Sequence, residues 1–471
     1  MEIIHVSAEC YPMAKVGGLA DVVGALPKYQ QQLGHIVKVV MPMHRTKFLY
    51  DNEWTTEHKG HFSMGSYELD YTIIREKSTR LGFDLYCVDI YGLLDREKVY
   101  GYDDDTERFT AFQVAVVDWI AQWEHKPGIV HVHDHHAGFI PFMMKHCYAY
   151  QHLAEVPTVL TIHNGQYQGW MNWDKSNYIP AWDTWQWGLL DWDNMINPLA
   201  CAVKCAHWVT TVSPSYMEEL KEDANGIEKL FQMEWSKCTG IVNGIDTAVW
   251  DPGTDTYILD NYSIKDAEAG KQLNKKKLCK DFKLDVEKPL FIYIGRLVGE
   301  KAADLLPQAI ADSVQHLGNN MNFLILGSGD PNVEQQLESM RSAYTGYYNS
   351  QIGYNEKLAH QMYAGADFIL MPSRVEPCGL NQMYAMRYGT MPIVRSIGGL
   401  KDTVIDFGEE GGYGIRFNYA SVWDITYSVH RAVELYNDKE KFEALRPVMM
   451  EIDNSWEKSA GQYINLYTSL Q

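Results

Sequence analysis

Residues 368–400 read F-I-L-M-P-S-R-V-E-P-C-G-L-N-Q-M-Y-A-M-R-Y-G-T-M-P-I-V-R-S-I-G-G-L, and this stretch decides the fold. Phe368 to Met371 is a short, wholly apolar run of the kind that forms a strand buried on both faces of a parallel sheet. Leu380 to Tyr388 has helical spacing and stops at Gly389. The loop between them carries one carboxylate, Glu376, followed by Pro377, Cys378 and Gly379. A strand, a polar loop and a helix with glycine at its first turn make a ready anion site. The amides of Gly379 and Leu380 have no helical acceptor, and the helix dipole favours negative charge there. In an open α/β sheet such loops line the crevice at the carboxyl ends of the strands, where ligands bind.

The same strand-then-polar-loop pattern recurs on either side. Pro289 to Ile294 reads as a buried strand, and Arg296 and Lys301 follow Gly295. A diphosphate calls for such a clamp: the planar Arg296 fork grips two oxygens and Lys301 supplies a point charge. Glu300 offers the plainer alternative of a local salt bridge. Phe323 to Asp330 is a further strand and glycine turn, Gly353-Tyr354-Asn355 a loop, and Gly398-Gly399 closes the crevice. Near the amino terminus, Glu2 to Ser7 is a strand, followed after a loop by K-V-G-G-L-A-D-V-V-G-A-L-P at Lys15–Pro27. The Gly17-Gly18 pair lets backbone amides approach a phosphate closely, with Lys15 beside them. A helix runs from about Leu19 to Leu33, and Val37 to Pro42 is the next strand. Ile129 to His133 and Thr158 to Ile162 are strands ending in His131-Val132-His133-Asp134-His135-His136 and in His163. Four histidines and a carboxylate there could bind a metal, but His131 and His133 lie on one strand while His135 and His136 fall at the turn after it.

A chain of 471 residues is too long for one core, so two domains are expected. A formal charge of −20 disfavours nucleic acid and anionic membranes as partners and suits a neutral polysaccharide. The first residues show no basic leader, no run reaches membrane-spanning length, and the scattered cysteines form no C-x-x-C pair. A cytoplasmic protein with reduced thiols is the expectation. Asp103 to Asp105 reads as a solvated acidic loop, and Lys271 to Lys283 as a solvated basic helix face. Asp251 to Asp255 has linker composition.

Ser373–Leu380, Lys15–Pro27, the H-x-H-D-x-H-x-G of His131–Gly138 and the N-G-I-D of Asn243–Asp246 resemble the motifs of bacterial glycogen synthases and plant starch synthases. The resemblance covers nearly the whole chain. It implies an α/β fold of two facing Rossmann-like domains (GT-B type) with the active site in the interdomain cleft. The domains expected are 1–245, binding acceptor, and 246–454, binding nucleotide sugar, with a last helix at about 455–471 crossing back. The implied reaction is retaining transfer of glucose from ADP-glucose to the non-reducing end of an α-1,4-glucan, with UDP-glucose as the alternative donor and no cofactor or metal. It further implies that Asp21, Asp134 and Glu376 orient the sugar and balance its charge, and that His163 contacts the donor sugar. Arg296 and Lys301 then hold the diphosphate, and Lys15, Gly17, Gly18, Cys378, Gly379, Leu380 and Asn381 join them in binding the donor. Asn243 reaches the donor, Tyr354 stacks on its base, and His136 helps line the sugar pocket. Asn381, Glu300 and Ala302 depart from the family's usual threonine, glutamine and glycine.

The stretch 170–192 is dense in aromatics, including Trp170, Trp173, Trp182, Trp185, Trp187 and Trp192. Exposed rings there would stack on sugar faces and guide the glucan, with Trp170 and Trp173 the first candidates; packed rings would instead fill a small core. A non-catalytic glucan-binding homologue is the rival reading of another class.

Overall fold

The computed structural model describes residues 1–471, which divide into two compact units: 1–241 with 456–471, and 242–455. The first crossing thus falls at Ile241–Val242, where the sequence had suggested the end of Ile245. The reason is local. The Ile245 amide donates to the Asn454 carbonyl, and Ile245 bridges Ser455 in parallel, so 242–245 pairs with the far end of the second unit.

The first unit is built on a nine-stranded sheet. Its strands are β1 (Glu2–Val6), β2 (Ile36–Pro42), β3 (Trp54–Met64), β4 (Tyr67–Glu76), β5 (Asp84–Asp89), β6 (Ile129–His133), β7 (Thr158–Ile162), β10 (Trp208–Thr211) and β11 (Cys238–Gly240); β8 (Asp191–Trp192) and β9 (Met195–Ile196) pair separately. The order is β11-β10-β7-β6-β1-β2-β5-β4-β3. All neighbours are parallel except the β3–β4–β5 edge. β1, β6 and β7 are buried almost throughout, because helices cover both faces of a parallel sheet. β3, at the antiparallel edge, is mostly exposed. The chain's last helix, Trp456–Ser469, returns Trp456, Ala460, Tyr463 and Tyr467 to this unit's core.

The helix Gly18–Gln32 contains Pro27. Proline has no N–H for the carbonyl four residues back. That carbonyl, of Val23, accepts instead from the Cys10 thiol at 3.5 Å.

The second unit holds β12 (Leu290–Leu297), β13 (Asn322–Gly329), β14 (Tyr348–Ile352), β15 (Phe368–Met371), β16 (Met391–Arg395) and β17 (Ile415–Phe417). They lie in the order β14-β13-β12-β15-β16-β17, all parallel. Counted within the unit this is 3-2-1-4-5-6, the dinucleotide-binding order, whose switch point lies between β12 and β15.

Two surface expectations fail. Asp105 is no loop residue: it opens the helix Asp105–Ala121 and takes the fully buried Arg108 guanidinium, whose Nε also donates to the Leu93 carbonyl. The helix Ala267–Phe282 likewise is not solvated all round. Lys271 is buried, its ammonium donating to the carbonyls of Tyr363 and Ala364 and to the Thr390 hydroxyl. Lys275 is buried against Asp367 at 2.7 Å. Each ammonium finds acceptors at helix and strand ends distant in the chain, and so tolerates burial. No helix is long and apolar enough to cross a membrane.

Candidate active site

In the second unit the switch point fixes where chemistry can happen. Loops leave the carboxyl ends of β12 and β15 on opposite sides of it, and the chain ties them together. The amides of Arg374 and Val375 donate to the Glu300 carbonyl at 2.8 and 3.2 Å. Arg374 grips Asp304 through both terminal nitrogens. These ties bring Lys301 to Glu376: its ammonium donates to both carboxylate oxygens at 2.7 Å each. Ser373 adds its hydroxyl to Oε2 of Glu376 at 2.8 Å. Glu376 is buried and Lys301 only 22% exposed. Arg296 stands further out, its side chain 67% exposed, and pairs loosely with Glu300 at 3.4 Å.

The glycines after β16 explain how the Glu376 loop lies so close. A Cβ at Gly398 would come within 2.0 Å of the Glu376 carbonyl oxygen, and one at Gly399 within 2.1 Å of that of Cys378. The Gly399 amide donates to the Glu376 carbonyl at 3.1 Å. Gly379 adopts φ +73°, the left-handed region open to glycine. The helix that follows is short, Asn381–Arg387, with Leu380 as its cap and Tyr388 outside it. Asn381 uses its side-chain amide to hold the Ile294 carbonyl at 2.7 Å, joining helix to β12. Cys378 is buried, its thiol pushed up to about 12 by burial, partly offset by the Asn243 backbone amide. Asn243 is itself buried, with its side-chain oxygen unpartnered. Tyr354 is 86% exposed in the loop after β14.

In the first unit the switch point lies between β1 and β6. The loop after β1 presents Glu9, and the glycine pair serves it: Glu9 Oε2 accepts from the amides of Val16 and Gly17, and Oε1 from the Tyr100 hydroxyl. The Gly17 amide expected to face a phosphate therefore already holds an internal carboxylate. Lys15 pairs with Asp21 at 2.7 Å, both partly exposed.

Asp134, at the end of β6, combines three unusual features. Its backbone takes φ 56° and ψ −173°, a region that side chains other than glycine's occupy only under strain. Its carboxylate is buried and accepts from the backbone amides of His163, at 2.7 Å, and Asn164. Burial raises its pKa to about 7 against those two bonds, with the charge of Glu9 adding to the rise. Folding therefore favours the protonated carboxyl. That stabilisation is complete below the unfolded value and is lost as pH rises through about 7. Asp134→Asn cannot ionise, so it should be more stable than wild type by ~2–4 kcal/mol at pH 8 and nearly equal at pH 4. Urea unfolding at the two values measures the gap, and an equal gap at both would refute the burial argument.

His163 is half-buried at the end of β7, its pKa lowered to about 3 by burial. His136 is buried between Tyr100 and Phe109, its Nδ1 unpartnered. His131 and His133 meet His5 of β1, which the sequence had not linked to them, with ligand atoms within 4.8 Å of one another. Each ring nitrogen of the three is already in a hydrogen bond, to Gln30, Thr161, Tyr467, His163 or another of the three. The trio is a paired polar core rather than an open set of metal ligands. Trp170 and Trp173 are half-buried, and Trp173 is pinned by Asp191 at 2.8 Å. The exposed rings of that stretch are Trp185, at 86%, and Trp187, at 55%.

A dinucleotide-type sheet with a cation and a carboxylate at its switch point, in a chain that carries a second α/β unit, is the arrangement of a glycosyltransferase of the two-domain α/β class. Residues 2–233 match the model of the starch synthase catalytic domain, and 274–442 that of glycosyl transferases group 1. The glycogen synthase of Flavobacterium johnsoniae is 55% identical over 467 residues, spanning 99% of this chain and 98% of its own. That of Streptococcus pneumoniae is 36% identical, over 100% of both. The chain belongs to the glycogen and starch synthase family. Among solved structures, the catalytic domain of starch synthase IV from Arabidopsis thaliana, bound to ADP and acarbose, superposes with a TM-score of 0.86 at 32% identity over 99% of each chain. Sucrose-phosphate synthase from Thermosynechococcus elongatus, at 0.62 and 18% over 100% of this chain and 98% of its own, shares the fold.

Proposed function

We propose that this protein transfers glucose from ADP-glucose to the non-reducing end of an α-1,4-glucan with retention of configuration. The observation that carries the reading is the Lys301–Glu376 pair at the switch point of the second unit. There a cation that can neutralise a departing diphosphate adjoins a carboxylate that can orient a sugar. Charge develops on both leaving group and sugar as the bond breaks, and preorganised partners for such charge are usually the largest catalytic contribution. Arg296 and the amides near Gly379 take the rest of the diphosphate, and Tyr354 and Asn243 the nucleoside side. In the first unit Asp134, His163, Asp21 and Lys15 serve the sugar and its phosphate. Engaging the glycine pair with a phosphate requires Glu9 to release the Gly17 amide.

The ADP carried by the Arabidopsis relative favours adenine over uracil as the donor base. A cytoplasmic setting, without nucleic-acid or membrane partners, belongs to the same proposal. Incubation with glycogen and either ADP-glucose or UDP-glucose tests it. ADP-glucose should be the better donor, and no transfer from either would overturn the reading. For the glucan, the exposed rings are the better candidates. Trp185→Ala with Trp187→Ala should weaken glycogen binding several-fold in affinity electrophoresis while leaving the KM for the donor unchanged. Trp173→Ala should instead lower stability, because it abandons Asp191.

A further inference from the structure

A run of hydrogen bonds through the core of the first unit has only one self-consistent direction. It starts at the Leu160 carbonyl, which can only accept. The Thr210 hydroxyl donates to it at 3.1 Å. That uses the single Thr210 proton, so at 2.6 Å Thr210 accepts from Thr161. Thr161 in turn accepts from Nε2 of His131, also at 2.6 Å. A neutral ring protonated at Nε2 accepts at Nδ1, and the Tyr467 hydroxyl donates there at 2.5 Å. Tyr467 then accepts from the Gln30 amide nitrogen at 3.2 Å. This orients the Gln30 oxygen toward Nε2 of His5, 2.7 Å away, which must donate. His5 Nδ1 therefore accepts from Nε2 of His133 at 3.0 Å. His133 Nδ1 accepts from Nε2 of His163, again at 3.0 Å. Reversing any link would oblige a backbone carbonyl to donate.

The run depends on the tertiary fold. β1 lies beside β6 with His5 opposite His131, and the last helix of the chain delivers Tyr467. Burial keeps the rings neutral: His5 is lowered to about 4, His163 to about 3, and His131 and His133 well below the usual range.

We propose that Tyr467, Gln30, His5, His131 and His133 are positioning residues that lock His163 in its Nε2–H tautomer. Its Nδ1, which takes no bond from the protein, is thereby a permanent acceptor for a hydroxyl of the bound sugar. The tautomer follows from the bonding pattern alone; its use on a sugar rests on the function proposed above. The other tautomer would donate to that hydroxyl and leave the hydroxyl's own proton without this acceptor, whereas a site built to accept one hydroxyl discriminates strongly against a ligand that lacks it.

The full-length protein labelled with ring ¹⁵N-histidine tests the lock without turnover, the His163 signals being those lost in His163→Gln. Wild type should show His163 neutral and protonated at Nε2 at pH 7. Tyr467→Phe removes one hydroxyl, frees the Gln30 amide to turn, and should give His163 a mixture of tautomers. In transfer assays with ADP-glucose and its monodeoxy analogues, wild type should penalise loss of one hydroxyl, and Tyr467→Phe should shrink that penalty about tenfold. A variant that had merely lost packing would melt earlier with its discrimination intact. An Nδ1–H tautomer at His163 in wild type would overturn the proposal, and so would unchanged tautomer and discrimination in Tyr467→Phe. Failure of every nucleotide sugar as donor would instead sink the functional reading, with the spectrum still deciding the lock.

Discussion

Lys301→Ala is expected to lower kcat about 10²–10³-fold, the usual consequence of removing one preorganised partner of developing charge. The expectation follows from where the side chain sits. Lys301 is mostly withdrawn from solvent and holds both oxygens of a buried carboxylate. In the free protein it pairs with Glu376; in the proposed donor complex the same ammonium would be shared with the diphosphate. Its removal therefore does two things. The leaving group loses a counter-charge, and Glu376 is left with the Ser373 hydroxyl as its remaining side-chain partner. Breaking such a buried pair typically costs about 3–5 kcal/mol, so the variant should also melt several degrees lower. Arg296→Ala should behave differently. That guanidinium is exposed and its tie to Glu300 is long, so its loss should appear mainly in the KM for the donor, with little change in melting temperature. Rates of ADP release at saturating ADP-glucose, together with thermal melts, separate the two. Unchanged turnover in Lys301→Ala would refute the diphosphate role.

What the sequence reveals is what is local. A parallel strand is an unbroken apolar run, so Phe368–Met371 and Leu290–Ile294 are visible without the fold; Glu376 and Lys301 lie in the segments after them, and Arg296 in the last residues of β12 itself. The contacts that decide the state of those groups are not local. Gly17 looks like a phosphate loop, but Glu9 occupies its amide only because the chain doubles back after β1. His5 reads as a strand residue, and its partnership with His133 exists because β1 and β6 are neighbours across 128 residues of chain. Lys271 and Lys275 look solvated because nothing near them in sequence is a partner. Their acceptors lie about ninety residues on or further, at the end of the helix Glu356–Gly365, at Asp367 and at Thr390. The aromatic stretch fails for another reason. Composition states how many rings there are but not which way they face, so it does not separate Trp173, tied to Asp191, from the exposed Trp185.

Glu376→Gln is expected to lose about 10²-fold in kcat, and Glu376→Ala more, without any covalent intermediate being involved in wild type. Retention has two routes. The carboxylate can attack the anomeric carbon, as in retaining hydrolases. Alternatively, the departing phosphate can take the acceptor's proton on the face the phosphate leaves. A nucleophile must offer an oxygen free of strong donors, because each hydrogen bond to it stabilises the charge it would have to give up. Here Oε1 holds the Lys301 ammonium, and Oε2 holds both Lys301 and Ser373. The arrangement suits a carboxylate that forms no bond to the sugar carbon and instead accepts from a sugar hydroxyl, leaving proton transfer to the phosphate. The routes differ in outcome. A nucleophile would leave a glucosyl group on Glu376 when turnover is quenched, and azide supplied to Glu376→Ala would intercept the sugar from the vacated face. Intact-mass measurement of wild type quenched with ADP-glucose should find no adduct, and azide should leave Glu376→Ala slow. Gln should outperform Ala because its amide oxygen can still accept from the sugar. A glucosyl adduct trapped on Glu376 would reverse the assignment and make Lys301 the group that activates its leaving.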